Sequence, residues 1–540
     1  MQVASTPIDI QELERDLALH PDRDFVSYLL TGLRSGFHTG ITSLPRNSIE
    51  CANLLSARNQ SDVVKELIGS ELDKGFLIGP YHECPFDTYR INPIGIAESK
   101  YSRKKRLIVD LSSPHNNDDN PSLNDLINKD EFSLQYVTVD DAINIIKRFG
   151  KGSYLCKTDI SDAFKLIPIH PSLWPFHGIK WDGLYYFYTR LVFGSRSSPK
   201  IFDCLSQAVC WIAVHQYNIP NILHLLDDFL TVDPPNFHQA TSTMEKLMCL
   251  FESLGIPIAQ HKTVGPSLCL DYLGVTLDCD LMQARLPGEK IFRICEILTE
   301  FKDKKCCTKR ELLSLLGHLN FASRVIPHGR SFVSYLISLS TKVRELHHHV
   351  KLTESCRLDL NMWLLFLSRW NGISFFLNDN VTQAAHMHLF TDATDRAFGG
   401  IFGNKWFQGT FPLELYEGKD KISMAFCELF PIVIACVLWG KEWSRKRILF
   451  HCDNMATVDI INKGRSKVEL IMNLMRKLTF CSMSNNFIVH ARHIPGIDNS
   501  IADAISRFQM EKFRHLAPHA DPFPTLCPPL SSLMLFGKSK

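Results

Sequence analysis

Residues 222–232 read ILHLLDDFLTV. Two adjacent aspartates, Asp227 and Asp228, interrupt an otherwise apolar, strand-forming run. Neighbouring side chains on a strand point to opposite faces, so the pair fits a tight hairpin turn better than a strand interior. Carboxylates this close repel, and a divalent cation relieves the repulsion while bridging phosphate oxygens. An isolated pair of this kind reads equally as a solvent-exposed turn. This one has company. Asp159 ends a second apolar run, YLCKTDI at 154–160, with Phe164 five residues on; FGSRSSP intervenes at 193–199, and Lys262 follows. Only oxygen ligands are offered, which favours Mg²⁺ or Mn²⁺ over zinc.

A second set of acids lies further along. Asp392 sits in HLFTDA (388–393), Glu428 is the sole charge of residues 422–440, Asp453 closes ILFHCDN (448–454), and Asp503 lies in IADAISR (501–507). An ionised carboxylate in apolar surroundings is costly unless a cation or proton neutralises it. Four such acids suit a two-metal site that clamps attacking water and leaving oxygen. His493, on the way out of a strand, is placed to assist proton transfer or product release. Taken singly, each has a bland reading: a strand-end cap for Asp392, a partly exposed helix-start acid for Glu428, a turn at Asp453-Asn454, a surface histidine. Their order within three strands, helix, strand, helices, strand and helix is harder to explain that way.

The segment 422–440 has the length of a membrane span, but it carries Ser423, Pro431 and a central carboxylate. A buried helix with one functional acid is expected, and no membrane partner. Pro431 fits poorly in a helix interior and points to a local kink or a late helix start.

The rest of the chain frames these sites. Residues 1–75 read as mixed helix without recognisable chemistry, with an amphipathic helix over 54–72 and a turn at Gly79-Pro80. Strands are expected at 106–111, 154–160, 185–193 and 222–232, and a helix at 199–214. From 286 to 380 Leu, Lys, Arg and His dominate and strand signals fade, as in a helical connecting region. A β-rich pattern restarts at His386, and the proline-bearing final thirty residues read as a linker or tail. At 45% apolar and 21% charged the chain can build real cores. Its net charge of +2 leaves any nucleic acid to local basic patches. Such patches occur at Lys100–Arg106, Lys302–Arg310 and Lys441–Arg447. The cysteines are scattered without a CxxC pair, which argues against zinc and for a reducing, intracellular setting.

TDISDAF, LVFGSRSSPKIF, LLDDFL, IPIAQHKTVGP and DYLGVTL occur in the order of reverse transcriptase palm motifs, and residues 76–285 resemble that family. The resemblance implies that Asp159 and Asp227 bind the catalytic metals with Asp228 in support. It also implies that Phe164 is the gate against a ribose 2′-hydroxyl and that Arg106 meets the incoming triphosphate. Gly194, Ser195 and Pro199 would shape the nucleotide pocket, and Lys262 is similar to the palm lysine. One departure stands out: Leu225 and Leu226 replace the usual aromatic before the double aspartate. Residues 385–510 resemble a retroelement RNase H domain through TDA, the helix glutamate, CDN and the H-x-P-G…N-x-x-A-D-x-x-S-R tail. Asp392, Glu428, Asp453 and Asp503 would bind metal there.

The resemblance implies an α+β, multidomain fold. A right-hand polymerase with fingers, palm and thumb leads through a helical connection to an RNase H-like α/β domain with a mixed five-stranded sheet. The expected divisions are 1–75, 76–285, 286–384, 385–510 and a tail at 511–540. Two Mg²⁺ (or Mn²⁺) ions per site, an RNA template, a DNA primer, dNTPs and an RNA–DNA hybrid are the implied cofactors and partners. ELFPIVIA, GHLNFASRVIPHGRSF and HIPGIDNSIADAISRF look most like DIRS-type or related retrotransposons. Two other readings stay open: a transposon-derived nucleic-acid-binding protein without catalysis, and an RNase H enzyme with impaired polymerisation.

Overall fold

The structure is a computed structural model that describes residues 5–98, 105–115, 119–369, 388–416 and 422–533. Lys100, Arg103 and Lys104 of the first basic run, and His386, lie outside the described residues. The chain divides into two units, Met1–Tyr272 and Leu273–Lys540.

In the first unit, a four-stranded antiparallel sheet is ordered Val264–Ser267, Tyr154–Asp159, Asp228–Asp233, Ile222–Leu225. Phe229, Leu230, Thr231 and Val232 are all buried, so the central strand is covered on both faces, which explains its unbroken apolar run. Helices Val139–Phe149 and Phe237–Ser253 pack against it, and Ser198–His215 packs against the Ile222–Leu225 strand. The expected strand at 222–232 is thus a hairpin. Its two-residue turn, Leu226-Asp227, follows from the pairing of Leu225 with Asp228.

The same unit holds a five-stranded sheet, ordered Ile49–Glu50, Arg90–Ile91, Gly178–Trp181, Leu184–Tyr188, Leu77–Tyr81. A separate hairpin pairs Ile94–Glu98 with Lys105–Val109 and carries Arg106. The expected turn at Gly79-Pro80 instead lies inside the Leu77–Tyr81 strand. That strand is at the sheet edge and bulges between Ile78 and Tyr81, where a missing N–H is tolerated. The helix read over 54–72 is two, Leu55–Arg58 and Ser61–Asp73, broken where Gln60 leaves helical geometry. The 185–193 strand ends at Tyr188.

The second unit opens with the paired strands Val275–Asp278 and Gln283–Arg285, and helices Gly288–Asp303, Lys309–Ala322, Ser334–Ser340 and Glu354–Arg369 come after them. Strands do not vanish between residues 286 and 380 either: Cys306–Thr308 pairs with His349–Lys351. These short ladders lack the alternation that would reveal them in sequence. A mixed five-stranded sheet follows, ordered Lys405–Thr410, Ala397–Phe402, His388–Ala393, Arg447–Cys452, Ile488–His493. The first three strands are antiparallel neighbours and the last two join in parallel. A parallel neighbour needs a crossover, and the helix Met424–Trp439 supplies it.

That helix is the apolar segment of the sequence. It lies in the core of the unit with Leu429, Phe430, Ile432 and Val433 buried beside helix Glu469–Ser484. It starts at Met424, where the Ser423 side chain accepts from Phe426 N–H, and runs through Pro431 to Trp439. The late start suggested by Pro431 therefore does not occur. Proline withholds one N–H from the helix, and burial of the surrounding side chains outweighs that loss. Removing the cap by Ser423→Ala is expected to lower stability by about 1 kcal/mol, measured by denaturant titration.

The proline-bearing tail is not a free linker over its described length. Phe513, Ala517, Ala520 and Leu533 are buried. Thr525 N–H donates to the Trp406 carbonyl at 2.7 Å, and Asp521 N–H to that of Asn404 at 2.8 Å. The tail so covers the outer strand Lys405–Thr410, whose backbone would otherwise be an open edge. Prolines suit such a role, since they cover an edge without extending the ladder.

Candidate active sites

In the first unit, the register sets Asp159 directly opposite Asp228 on neighbouring strands. Asp227 occupies the turn that leads from Leu225 into the Asp228 strand, and its carbonyl accepts from Ile160 N–H at 3.0 Å. Three carboxylates therefore gather at one end of the sheet. Leu226, the first turn residue, has φ +54°, the left-handed region that a glycine or asparagine would enter more easily.

Two lysines answer the charge. Lys262 Nζ donates to Asp159 Oδ1 at 2.8 Å, and Lys157 Nζ lies 3.3 Å from Asp228 Oδ2. Burial pushes the Asp227 carboxyl up and Asp159 pushes it further, while Lys262 and Arg106 draw it down. Asp228 is driven up to about 6, chiefly by burial, against the opposing pull of Lys157. Its Oδ1 is buried without a hydrogen-bond partner. Clustered, desolvated carboxylates with an oxygen left unsatisfied fit a divalent cation.

The other expected residues fall around this point. Phe164 lies in the 3₁₀ turn Ala163–Leu166, buried against Phe193 at 4.7 Å and Phe202 at 5.6 Å between ring centroids. Arg106 is exposed on its hairpin. Gly194 has φ +97°, and a Cβ there would meet the Val109 carbonyl at 2.9 Å, so only glycine fits. Ser195 is buried beside Ser197, and Pro199 lies in the first turn of helix Ser198–His215. The sequence reading missed Lys157 and Asn124. Lys157 could have been found by parity, two residues before Asp159 on the same strand face. Asn124 donates to the Gly194 carbonyl at 2.9 Å and accepts from Arg196 N–H at 2.8 Å, and no local pattern announces it.

In the second unit, Asp392 and Asp453 sit at the ends of strands that are neighbours in the sheet, and Glu428 projects from the crossover helix. Donor atoms of Glu428, Cys452 and Asp453 lie within 4.8 Å of one another. Burial pushes Glu428 up to about 9, with Asp392 and Asp453 adding repulsion. Asp392 rises to about 6, again mainly by burial, although the Ser506 hydroxyl donates to it. Asp503 is the exception. Burial raises it, but Arg507 at 2.5 Å and Lys512 at 3.4 Å outweigh burial and hold it below the usual range. His493 is exposed, and its Nε2 lies 3.1 Å from the Asp453 carbonyl. The sequence motifs contain Cys452, Ser506 and Arg507 but give them no role, and they leave out Lys512. The last two stand four and nine residues beyond Asp503, the first at helical spacing.

No family model matches the chain. Two of its curated relatives are Pro-Pol polyproteins of simian foamy viruses. Over 201 residues, 36% of this chain, it is 25% identical to that of simian foamy virus type 1, and equally to that of simian foamy virus type 3 (strain LK3). The match spans only 16% of those relatives' length. Among solved structures, the foamy viral protease-reverse transcriptase dRH in complex with double-stranded DNA aligns over 92% of this chain and 83% of that one. The identity is 15% and the TM-score 0.49. The foamy viral protease-reverse transcriptase in complex with RNA/DNA hybrid aligns over 91% and 64%, at 15% identity and TM-score 0.47.

The two clusters share one logic. In each, a carboxylate at a strand end meets others brought by a turn or helix, and burial makes their joint ionisation costly. Each is a place where positive charge is wanted. The first unit meets part of that need with Lys157 and Lys262, the second with Arg507 and Lys512.

Proposed function

We propose that the chain is an RNA-directed DNA polymerase with RNase H activity, the polymerising and hybrid-cleaving part of a retroelement polyprotein. The observation that carries this reading is the alignment of Asp159 with Asp228 across neighbouring strands, with Asp227 in the hairpin turn just before Asp228. Mg²⁺ held by Asp159, Asp227 and Asp228, and by Asp392, Glu428, Asp453 and Asp503, would supply activation of the attacking oxygen and neutralisation of phosphate charge. Lys262 holds the Asp159 carboxylate in place, and Lys157 does the same for Asp228. Arg106 is exposed and positively charged near Asp227, a position suited to a triphosphate. In the second unit, Ser506 orients Asp392, and His493 beside Asp453 is placed to receive or release a proton. The scatter of seventeen cysteines without a CxxC pair suits an intracellular setting. The kinship with DIRS-like retrotransposons rests on residues 317–332, 428–435 and 493–508.

The direct test is magnesium-dependent extension of a DNA primer on an RNA template, followed by cleavage of the RNA strand of the hybrid formed. Failure of extension with both Mg²⁺ and Mn²⁺ would remove the polymerase reading and leave hybrid cleavage or simple binding. Phe164→Ala opens space beside Phe193 and Phe202, and ribonucleotide incorporation is expected to rise by at least about tenfold relative to deoxyribonucleotides. Unchanged discrimination would take the gate role away from Phe164.

A further inference from the structure

The helix Ser61–Asp73 lies in the segment whose sequence announces no chemistry. At its end, Glu71 and Lys74 meet the turn that carries Phe164. Lys165 Nζ lies 3.1 Å from Glu71 Oε2, and Lys74 Nζ donates to Asp162 Oδ2 at 2.7 Å. The signs are crossed: an acid and a base three residues apart on one element face a base and an acid three residues apart on the other.

The two pairs live in different surroundings. Lys74 and Asp162 are both half-exposed, where an ion pair contributes little. Lys165 is buried, with 6% of its side chain exposed. Its ammonium stands 3.8 Å from the centroid of the Tyr188 ring, and burial together with the charge of Glu71 keeps the Tyr188 hydroxyl protonated. A buried ammonium with a carboxylate and an aromatic face around it has little reason to move. Without the carboxylate it is an uncompensated buried charge, which must neutralise or reach for water. Reaching for water would drag the backbone of its neighbour.

That neighbour is Phe164, which meets a different set of partners, Phe193 and Phe202. The turn between them is short: Lys165 N–H donates to the Asp162 carbonyl at 2.7 Å, with Asp162 at φ +49°. Displacement at Lys165 therefore passes to Phe164 with almost no slack.

We propose that Glu71 and Lys165 are positioning residues for sugar selection, a buried ion pair through which the N-terminal helix holds Phe164 in register with the incoming nucleotide. The inference rests on the reading of Phe164 as the gate. An error of about 1 Å in such a group is enough to change rates markedly.

The measurement is the ratio of kcat/KM for a deoxyribonucleotide to that for the matching ribonucleotide, with KM and kcat resolved separately. Both substrates are read on one preparation of the full chain, so partial unfolding does not move the ratio. Glu71→Gln is expected to lower it roughly tenfold, mainly through KM for the deoxyribonucleotide. Lys74→Ala, at the half-exposed pair, is expected to change it by less than about twofold. Should Glu71→Gln fail to fold, Glu71→Gln/Lys165→Met removes both charges and leaves no stranded ammonium, and it too should lose selectivity. An unchanged ratio in whichever of these folds overturns the proposal. Phe164→Ala, run in parallel, separates the two failures: a normal ratio there sinks the gate itself, whereas a lowered ratio there with a normal Glu71→Gln sinks only the clamp.

Discussion

Asp453→Asn is expected to reduce hybrid cleavage roughly 10³-fold while primer extension stays within about twofold of wild type, and Asp228→Asn is expected to do the reverse. The size follows from the several kcal/mol that metal-held charge contributes to such transition states, at about 1.4 kcal/mol per factor of ten. Independence follows from the architecture. Asp228 belongs to the unit Met1–Tyr272 and Asp453 to Leu273–Lys540, and each stands on its own sheet and core. Substitutions without shared partners add, so each loss should be confined to its own reaction. Asparagine keeps the shape of the side chain and removes only its charge, which limits damage to the fold. At Asp228 it also leaves Lys157 without its partner, so thermal melts belong beside the assays. Primer extension and hybrid cleavage on the same preparations decide the matter. Loss of both reactions from either single change would mean the sites are not independent.

The acids were legible because each breaks a pattern. A charge inside an apolar strand or helix is conspicuous, and Asp159, Asp227, Asp392, Glu428 and Asp453 all have that form. The hairpin at 226–227 was legible for the same reason, since two adjacent carboxylates do not share one buried face. What escaped was whatever depends on partners distant in sequence. Asn124 bridges to the loop at 194–196 through hydrogen bonds spanning some seventy residues, and nothing local marks it. Glu71 has its partner, Lys165, ninety-four positions away beside the Tyr188 ring, and nothing local in the sequence marks the pair. The tail misled in the opposite way. Its prolines read as a linker, yet the same prolines let it lie along a sheet edge without adding a strand. The Gly79-Pro80 pair misled likewise, because a turn signal and an edge-strand bulge use the same residues.

A second large effect is expected where helix Glu354–Arg369 meets helix Glu469–Ser484. Arg476 Nη2 donates to Asp359 Oδ1 at 2.8 Å, and the two side chains are 1% and 0% exposed. Asp359 Oδ2 and Arg476 Nε are both buried without hydrogen-bond partners, so the pair is only half satisfied. Burial pushes Asp359 up to about 6, and the adjacent guanidinium does not bring it back to the usual range. Removing one partner strands the other: Asp359→Leu should cost about 3–5 kcal/mol, because arginine cannot shed its proton. Arg476→Met should cost less, since Asp359 can take up a proton instead. The double variant Asp359→Leu/Arg476→Met should return to within about 1 kcal/mol of wild type or exceed it, as apolar replacements of buried ion pairs commonly do. The pH dependence has a definite sign. Asp359 binds its proton more tightly folded than unfolded, so its contribution to stability is greatest below about 3.8 and falls as pH rises towards about 6. The double variant lacks that slope, and its advantage over wild type should widen across the same interval. Denaturant titrations of the four proteins at pH 4 and pH 7 measure both effects. Equal and additive losses from the two single changes would overturn this coupling, and each charge would then stabilise the helix contact on its own.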